Sequence, residues 1–291
     1  MNDLIAFLTI LSSLGLLVVL VSFAQKRLHF SAEFSRKIIH IFMGAICMSF
    51  PWIFQHVISV QILGIAAAIA LALLRSKKLK IKIASALFSV ERSSIGELLF
   101  PLSVVWLFTI AHQSPILYLI SLLLLTFADA FSALVGTKYG QLHYKTLSGN
   151  KTLEGSLTFF CVAFFCCFIP LFLSTEYSLI QILLISLTVS LISTFLEGIA
   201  SHGLDNLLIP IATYLALDYY LSQSYLDLWS RIIALLVLSA LLIISRRNTT
   251  LDGSGLMGGI LFTFAAFSIG SFPCLISVFF LFARHVLITR R

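Results

Sequence analysis

The helical character of this chain is clearest in residues 115–136, which read Pro-Ile-Leu-Tyr-Leu-Ile-Ser-Leu-Leu-Leu-Leu-Thr-Phe-Ala-Asp-Ala-Phe-Ser-Ala-Leu-Val-Gly. A helix needs about 20 apolar residues to cross a bilayer, and this stretch is long enough. The run Leu122 to Leu125 lacks the polar and apolar alternation of barrel strands. Its acid, Asp129, is costly in lipid unless it meets a cation, a metal or water. The stretch predicts a membrane helix with a functional carboxylate.

The composition extends this prediction to the whole chain. Of its 291 residues, 59% are hydrophobic and 11% are charged, and the mean hydropathy is +1.06. We expect an all-α, polytopic transmembrane bundle of about eleven spans, with nine as the lower bound, forming one membrane domain over residues 1–291. The predicted spans are residues 4–24, 37–54, 57–74, 97–112, 115–136, 156–174, 178–199, 204–222, 229–245, 255–270 and 272–289.

The basic residues predict the orientation of these spans. With the N-terminus outside, eighteen of the 19 Lys and Arg residues fall on the inner side, and only Arg231 falls outside. Under the positive-inside rule this predicts a cytoplasmic C-terminus and cytoplasmic loops at 75–96 and 137–155. Eight of the 12 acids also fall inside, which leaves an inner charge of +10. We expect a bacterial inner-membrane protein whose functional groups face the cytoplasm.

A stripe of small residues follows Asp129 along the same predicted helix. Ser132, Gly136 and Gly140 lie on its face at helical spacing, so a ligand can approach the backbone closely. The glycines alone fit helix packing equally well. The carboxylate favours a site for Mg²⁺ or for a proton.

A second motif, Lys151-Thr152-Leu-Glu154-Gly155, follows a polar turn at 147–150 and precedes an apolar helix. Backbone N–H groups at such a helix start can bind a phosphate, with Lys151 as a point charge and Glu154 as a metal ligand. An ordinary N-terminal cap by Thr152 or Asn150, with Glu154 complementing the helix dipole, explains the same residues.

A third group lies at a predicted inner turn between two spans. Glu197 ends one span, and Asp205-Asn206 begins the next. Pro210 frees a backbone carbonyl inside that span, as in membrane helices that break around a cavity. His202 is most simply a solvated loop residue, so Asp205 is the better candidate for a catalytic base.

In this order the motifs resemble the polyprenol kinase family, which includes dolichol, phytol and farnesol kinases and the CTP-dependent diacylglycerol kinase of fungi. The resemblance covers about residues 36–215, the expected kinase-like core, and the tail motif at 251–255 resembles a further segment of the phytol kinase branch. It rests on Arg36-Lys37-x-x-His40, Gly96-Glu97 with Pro101, Asp129-x-x-Ser132-Ala133-x-x-Gly136-x-x-x-Gly140, Lys151-Thr152-x-Glu154-Gly155, Glu197, and Asp205-Asn206-x-x-Ile209-Pro210.

The resemblance implies transfer of the γ-phosphoryl group of CTP, or of another nucleoside triphosphate, to an isoprenoid alcohol or to diacylglycerol. We expect Mg²⁺ as cofactor, the lipid bilayer as environment and no nucleic-acid partner. The expected catalytic residues are Asp129, Asp205, Asn206 and Lys151, with Asn206 orienting Asp205. The expected metal ligands are Asp129, Glu154 and Asp205. The expected nucleotide contacts are Arg36, Lys37, Arg92, Gly136, Lys138, Gly140, Lys151, Thr152 and Gly155. The expected site-lining residues are His40, Glu97, Ser132, Glu197 and Pro210.

Other classes of protein remain as alternatives. Phosphatidate cytidylyltransferases share the Asp129 and Lys151 elements, but their C-terminal Pro-Gly-His-Gly-Gly stretch is missing here. An ion or small-molecule transporter also explains intramembrane acids, although no internal repeat is evident. Either class would change the expected chemistry.

Overall fold

The computed structural model describes residues 3–75, 95–147, 149–245 and 251–288, and these residues are mostly helical. Its long segments follow the apolar runs of the sequence. The helices are α1 (Asp3–Leu28), α2 (Ala32–Met48), α3 (Phe50–Ile53), α4 (Val57–Arg75), α5 (Gly96–Ala111), α6 (Pro115–Leu123), a π-helical turn (Leu124–Ala128), α7 (Asp129–Tyr139), α8 (Leu153–Ser174), α9 (Leu179–Ile199), α10 (Asp205–Leu221), α11 (Tyr225–Ser245) and α12 (Gly253–Ile288).

Several helices are suited to a membrane. Within the described residues, five stretches are long and apolar enough to cross a bilayer, judged by length and composition. They are Asp3–Leu28, Pro115–Tyr139, Leu153–Ser174, Leu179–Ile199 and Gly253–Gly270. The prediction of a mostly helical protein with several apolar helices long enough to span a membrane is therefore confirmed. The count of about eleven spans and the sides on which the termini lie stay predictions.

A β-hairpin interrupts the helices, so the all-α prediction was incomplete. Strands β1 (His143–Thr146) and β2 (Gly149–Thr152) pair antiparallel, with Tyr144 opposite Lys151. The turn between them includes Gly149, whose φ of +124° favours glycine. Thr146 and Thr152 are buried. This hairpin lies where the sequence had indicated only a polar loop.

The last helix corrects a second prediction. We expected two spans, at 255–270 and 272–289, with a turn between them. The structure instead has α12 as one helix of 36 residues with Pro273 inside it. A membrane helix tolerates an internal proline when neighbouring groups satisfy the freed backbone oxygens. The predicted turn is therefore wrong.

The chain divides into two compact units, residues 1–130 with 201–214, and residues 131–200 with 215–291. In the first unit, α2, α5 and α6 share a core around Leu107, Phe108 and Tyr118, which are almost fully buried. The Tyr118 hydroxyl donates to the Cys47 carbonyl oxygen at 2.9 Å. This packing fixes α2 against the helix that leads into Asp129.

In the second unit, α9 lies between α8, α11 and α12. A buried arginine joins α11 to α12, because Arg231 donates to the carbonyl oxygens of Phe267 and Ser268 at 3.0 and 3.2 Å. The Tyr219 hydroxyl donates to the same Ser268 oxygen at 2.6 Å. These bonds fix the middle of α12, and its first residues contact β1 of the hairpin.

Candidate functional site

A buried ion pair holds Asp129 in the first unit. The Lys37 ammonium lies 2.6 Å from Asp129 Oδ2 and donates to the Asp129 carbonyl oxygen at 3.3 Å. The side chains of Lys37 and Asp129 are only 3% and 11% exposed. Arg36 adds a further favourable charge near the carboxylate. The structure therefore brings together an acid and the basic residues that the sequence had assigned to one site.

His40 joins the same cluster through the π-helical turn. Its Nε2 lies 3.0 Å from the carbonyl oxygen of Leu125 and 3.5 Å from Asp129 Oδ2. A carbonyl oxygen only accepts hydrogen bonds, so Nε2 carries the proton. A π-turn is rare and is frequently found at functional sites. Here it lies directly before Asp129 and supplies the carbonyl oxygen that His40 binds.

The hairpin carries the second cluster. Lys151 lies on β2, and its ammonium lies 2.7 Å from Glu197 Oε1 at the end of α9. It also donates to the Glu197 carbonyl oxygen. Both side chains are largely but not fully buried. Lys151 is therefore held in place at the start of α8, where the sequence predicted a phosphate contact.

Close backbone approach surrounds Thr152. A Cβ atom added to Gly136 would lie 2.9 Å from Thr152 Oγ1, and one added to Gly155 would lie 3.1 Å from the Ser132 carbonyl oxygen. Gly140 also contacts Thr152. The small residues thus let α7 pack tightly on the start of α8, as the helix-packing alternative had proposed.

The N-terminal cap of α8 is also real. Thr152 Oγ1 accepts a hydrogen bond from the Gly155 N–H at 3.2 Å. Glu154 accepts from the Leu142 N–H, with its two oxygens at 3.1 and 3.3 Å, and thereby joins the hairpin to the helix. Lys138 is exposed and lies over the Tyr139 ring, outside this cluster.

Asp205, Asn206 and Pro210 of the third predicted group lie in the first unit, whereas Glu197 lies in the second. Asp205 Oδ1 accepts from the main-chain N–H of Asn206 at 3.1 Å, but the Asn206 side chain donates to the Gly96 carbonyl oxygen at 3.0 Å. The amide of Asn206 therefore anchors the start of α5, next to Glu97. Pro210 is buried inside α10, which continues without a break.

Arg92 lies outside the described residues. Across the described part of the chain, no group of three or more His, Cys, Asp or Glu side chains could hold a metal. Mg²⁺ uses only one or two protein carboxylates beside water and phosphate oxygens, so Asp129, Glu154 and Asp205 each remain suitable donors.

Sequence reasoning missed Tyr144 and the residues around it. The Tyr144 hydroxyl lies 2.6 Å from Ser156 Oγ, and its ring packs on Gly253. Burial, with Glu197 nearby, raises the pKa of Tyr144 to about 12. The alternation of His143-Tyr-Lys-Thr146 was the one signal that could have revealed a strand here.

Comparison with known proteins shows an informative similarity. The chain is 32% identical over 201 residues to a phytol kinase from Synechocystis sp.. The matched region covers 68% of this chain and 84% of that protein. No protein-family model matches the chain, and no solved structure does.

Proposed function

Because this chain belongs to the polyprenol kinase family, we propose that it is a membrane kinase that phosphorylates a lipid alcohol. The donor is a nucleoside triphosphate, with CTP as the first candidate. The acceptor is an isoprenoid alcohol such as phytol, farnesol or a polyprenol, or else diacylglycerol. The observation that carries this proposal is the 32% identity to a phytol kinase over 201 residues.

The hairpin cluster supports a role in binding the nucleotide phosphates. Phosphoryl transfer depends mainly on alignment and on cations that stabilise the charge of the transferred group. Lys151 provides such a cation, and Glu197 holds its ammonium at the end of α9. The residue itself lies two positions before α8, and the backbone dipoles at the start of a helix favour anions. We assign Lys151 to the phosphates, and Thr152 and Gly155 to close backbone contact.

The remaining carboxylates suit the metal and the proton. When bound, Mg²⁺ would neutralise negative charge on the phosphates of the nucleotide. Asp129, Glu154 and Asp205 are each proposed as metal ligands, and Asp205 is also the candidate for the base. The acceptor oxygen forms a bond to the γ-phosphorus, the bond from phosphorus to the β–γ bridging oxygen breaks, and the hydroxyl proton passes to the base.

Lys37 and Arg36 are proposed to neutralise charge beside Asp129. The Lys37 ammonium compensates the Asp129 carboxylate in a buried place, where a lone carboxylate would be costly. His40 fixes the π-helical turn before Asp129 through Leu125. Membrane helices are expected to surround the lipid chain while its hydroxyl group lies at the headgroup plane, which the nucleotide reaches from the cytoplasm.

The test is a transfer assay with purified protein. Protein in detergent would receive Mg²⁺, γ-labelled CTP, UTP or ATP, and a panel of phytol, farnesol, undecaprenol and diacylglycerol. We expect label in a lipid monophosphate, with CTP as the best donor, and loss of label when a chelator removes Mg²⁺.

Two outcomes would contradict the proposal. No labelled lipid with any donor would reject the kinase. Release of pyrophosphate with formation of a CDP-lipid would instead indicate a cytidylyltransferase, in which the lipid phosphate attacks the α-phosphorus of CTP.

A further inference from the structure

Tyr144 lies directly opposite Lys151 in the hairpin. Directly opposed residues of an antiparallel pair extend their side chains to the same face, so the side chains of Tyr144 and Lys151 lie on the same face of the hairpin. We propose that Tyr144, Ser156 and Gly253 form a clamp that fixes the hairpin and so positions Lys151 for the nucleotide. Tyr144 is a positioning residue in this proposal, which rests on the proposed function.

The hairpin needs such a clamp. Each strand has only four residues, and an isolated two-stranded hairpin is marginally stable in water. Tertiary contacts must therefore hold Lys151 in place. Thr152 supplies one of them at the start of α8.

The hydroxyl group of Tyr144 supplies another contact. It lies 2.6 Å from Ser156 Oγ, one turn into α8. The pKa of Tyr144, raised to about 12 by burial and by the nearby Glu197 carboxylate, keeps this hydroxyl protonated at ordinary assay pH. The hydrogen bond therefore persists wherever the enzyme is assayed.

The ring of Tyr144 supplies a third contact, against the start of α12. A Cβ atom added to Gly253 would lie 2.8 Å from Tyr144 Cδ2 and 2.9 Å from the Lys145 carbonyl oxygen, so only glycine fits. The start of α12, against which this ring packs, is itself fixed. Asp252 Oδ1 accepts hydrogen bonds from Ser254 Oγ and from the Gly255 N–H, both at 2.8 Å.

The side chain of Lys151 lies in the same region. Its ammonium binds Glu197, and a Cβ atom added to the next residue, Gly198, would lie 3.8 Å from the Tyr144 hydroxyl. Both strands of the hairpin thus contact the end of α9. If the clamp opens, Lys151 loses its fixed position. The affinity for the nucleotide should then fall, whereas the affinity for the lipid alcohol should not.

The first experiment compares Tyr144→Phe, Ser156→Ala and the double variant. Each single change removes the hydrogen bond and keeps the ring on Gly253. We expect KM for the nucleotide to rise about five-fold, the factor that corresponds to one neutral hydrogen bond. We expect kcat and KM for the lipid alcohol to stay near wild-type values, and the double variant to match the single ones.

A matched control is Tyr177→Phe. That tyrosine hydroxyl donates to the Leu221 carbonyl oxygen at 3.0 Å, away from the hairpin, so its loss should leave the nucleotide KM unchanged. The clamp is rejected if Tyr144→Phe and Ser156→Ala keep the wild-type nucleotide KM, or if they lower only kcat.

Gly253→Ala tests the ring contact. The added methyl group forces the hairpin to move, so the nucleotide KM should rise more than in Tyr144→Phe. An unchanged nucleotide KM in this variant would contradict the clamp.

A measurement that needs no kinase activity distinguishes failure of the clamp from failure of the proposed kinase function. Hydrogen exchange of the hairpin amides, and labelling of Lys151 by an amine-reactive reagent, should both become faster in Tyr144→Phe and Gly253→Ala. Unchanged rates would reject the clamp. If the wild-type protein phosphorylates no lipid, the proposed function fails, and these two rates still decide whether the clamp exists.

Discussion

Asp129 and Lys37 form a buried ion pair in which each charge compensates the other. Removal of one member of a buried ion pair leaves the other uncompensated, at a cost of about 3 to 5 kcal/mol in the free energy of unfolding. We therefore expect Asp129→Asn to lower the melting temperature in detergent as well as kcat/KM, the latter by about 100-fold or more.

A double variant separates these two effects. Lys37→Met combined with Asp129→Asn removes both charges, so most of the lost stability should return while activity stays low. Recovery of activity together with stability would show that Asp129 is a structural residue and not part of the chemistry.

Lys151 allows a comparison within one hairpin. Lys151→Met removes the cation proposed to bind phosphate, whereas Lys145→Met changes an exposed lysine on the opposite strand. Loss of a group that stabilises transition-state charge costs about 100-fold or more, so kcat/KM should fall by that factor in Lys151→Met and stay near wild type in Lys145→Met. Equal activity of the two variants would remove Lys151 from the proposed site.

At the scale of elements, the effect of replacing glycine by alanine should depend on how closely other atoms approach the glycine. Gly155→Ala places a methyl group 3.0 Å from Thr152 Oγ1 and 3.1 Å from the Ser132 carbonyl oxygen, whereas Gly15→Ala in α1 meets nothing within 4 Å. We expect Gly155→Ala to destabilise the protein by about 1 to 3 kcal/mol. Gly15→Ala should be neutral or stabilise it by up to about 1 kcal/mol, because alanine favours helix. Thermal unfolding in detergent measures both, and equal melting temperatures would contradict the close packing of α7 on α8.

Local patterns predicted the elements that depend on local forces. The apolar runs predicted the long helices, and the motif at Lys151 predicted the Thr152 cap, which spans three residues. The hairpin was missed because its four-residue strands depend on tertiary contacts such as that of Tyr144 with Ser156. The pairing of Lys37 with Asp129 joins residues 92 positions apart, a distance over which periodicity carries no information.

At the scale of the whole molecule, α12 changes the expected topology. Its 36 residues extend about 54 Å at 1.5 Å per residue, more than the roughly 30 Å of a bilayer core. Gly253 at its start lies against the hairpin. We therefore expect Arg284, near its other end, to lie on the membrane side opposite to the hairpin, whereas the sequence had placed both on the cytoplasmic side.

Thiol labelling of intact and permeabilised cells tests this expectation. Lys145→Cys and Arg284→Cys, both at exposed positions, would be made in a variant without its native cysteines. A membrane-impermeant reagent should reach the two positions from opposite sides. Labelling from the same side would contradict this expectation and support the turn that the sequence predicted.

The π-helical turn at Leu124–Ala128 has a consequence for the ancestry of this site. A π-turn contains one residue more than the α-helical turn it replaces, and one residue corresponds to about 100° of rotation around the helix axis. Loss of a single codon in this turn would therefore leave an ordinary α-helical turn and keep Asp129 on the helix face that meets Lys37. A descendant of the same gene that is one residue shorter between Tyr118 and Asp129 should therefore keep this ion pair and lose the π-turn carbonyl oxygen that His40 binds.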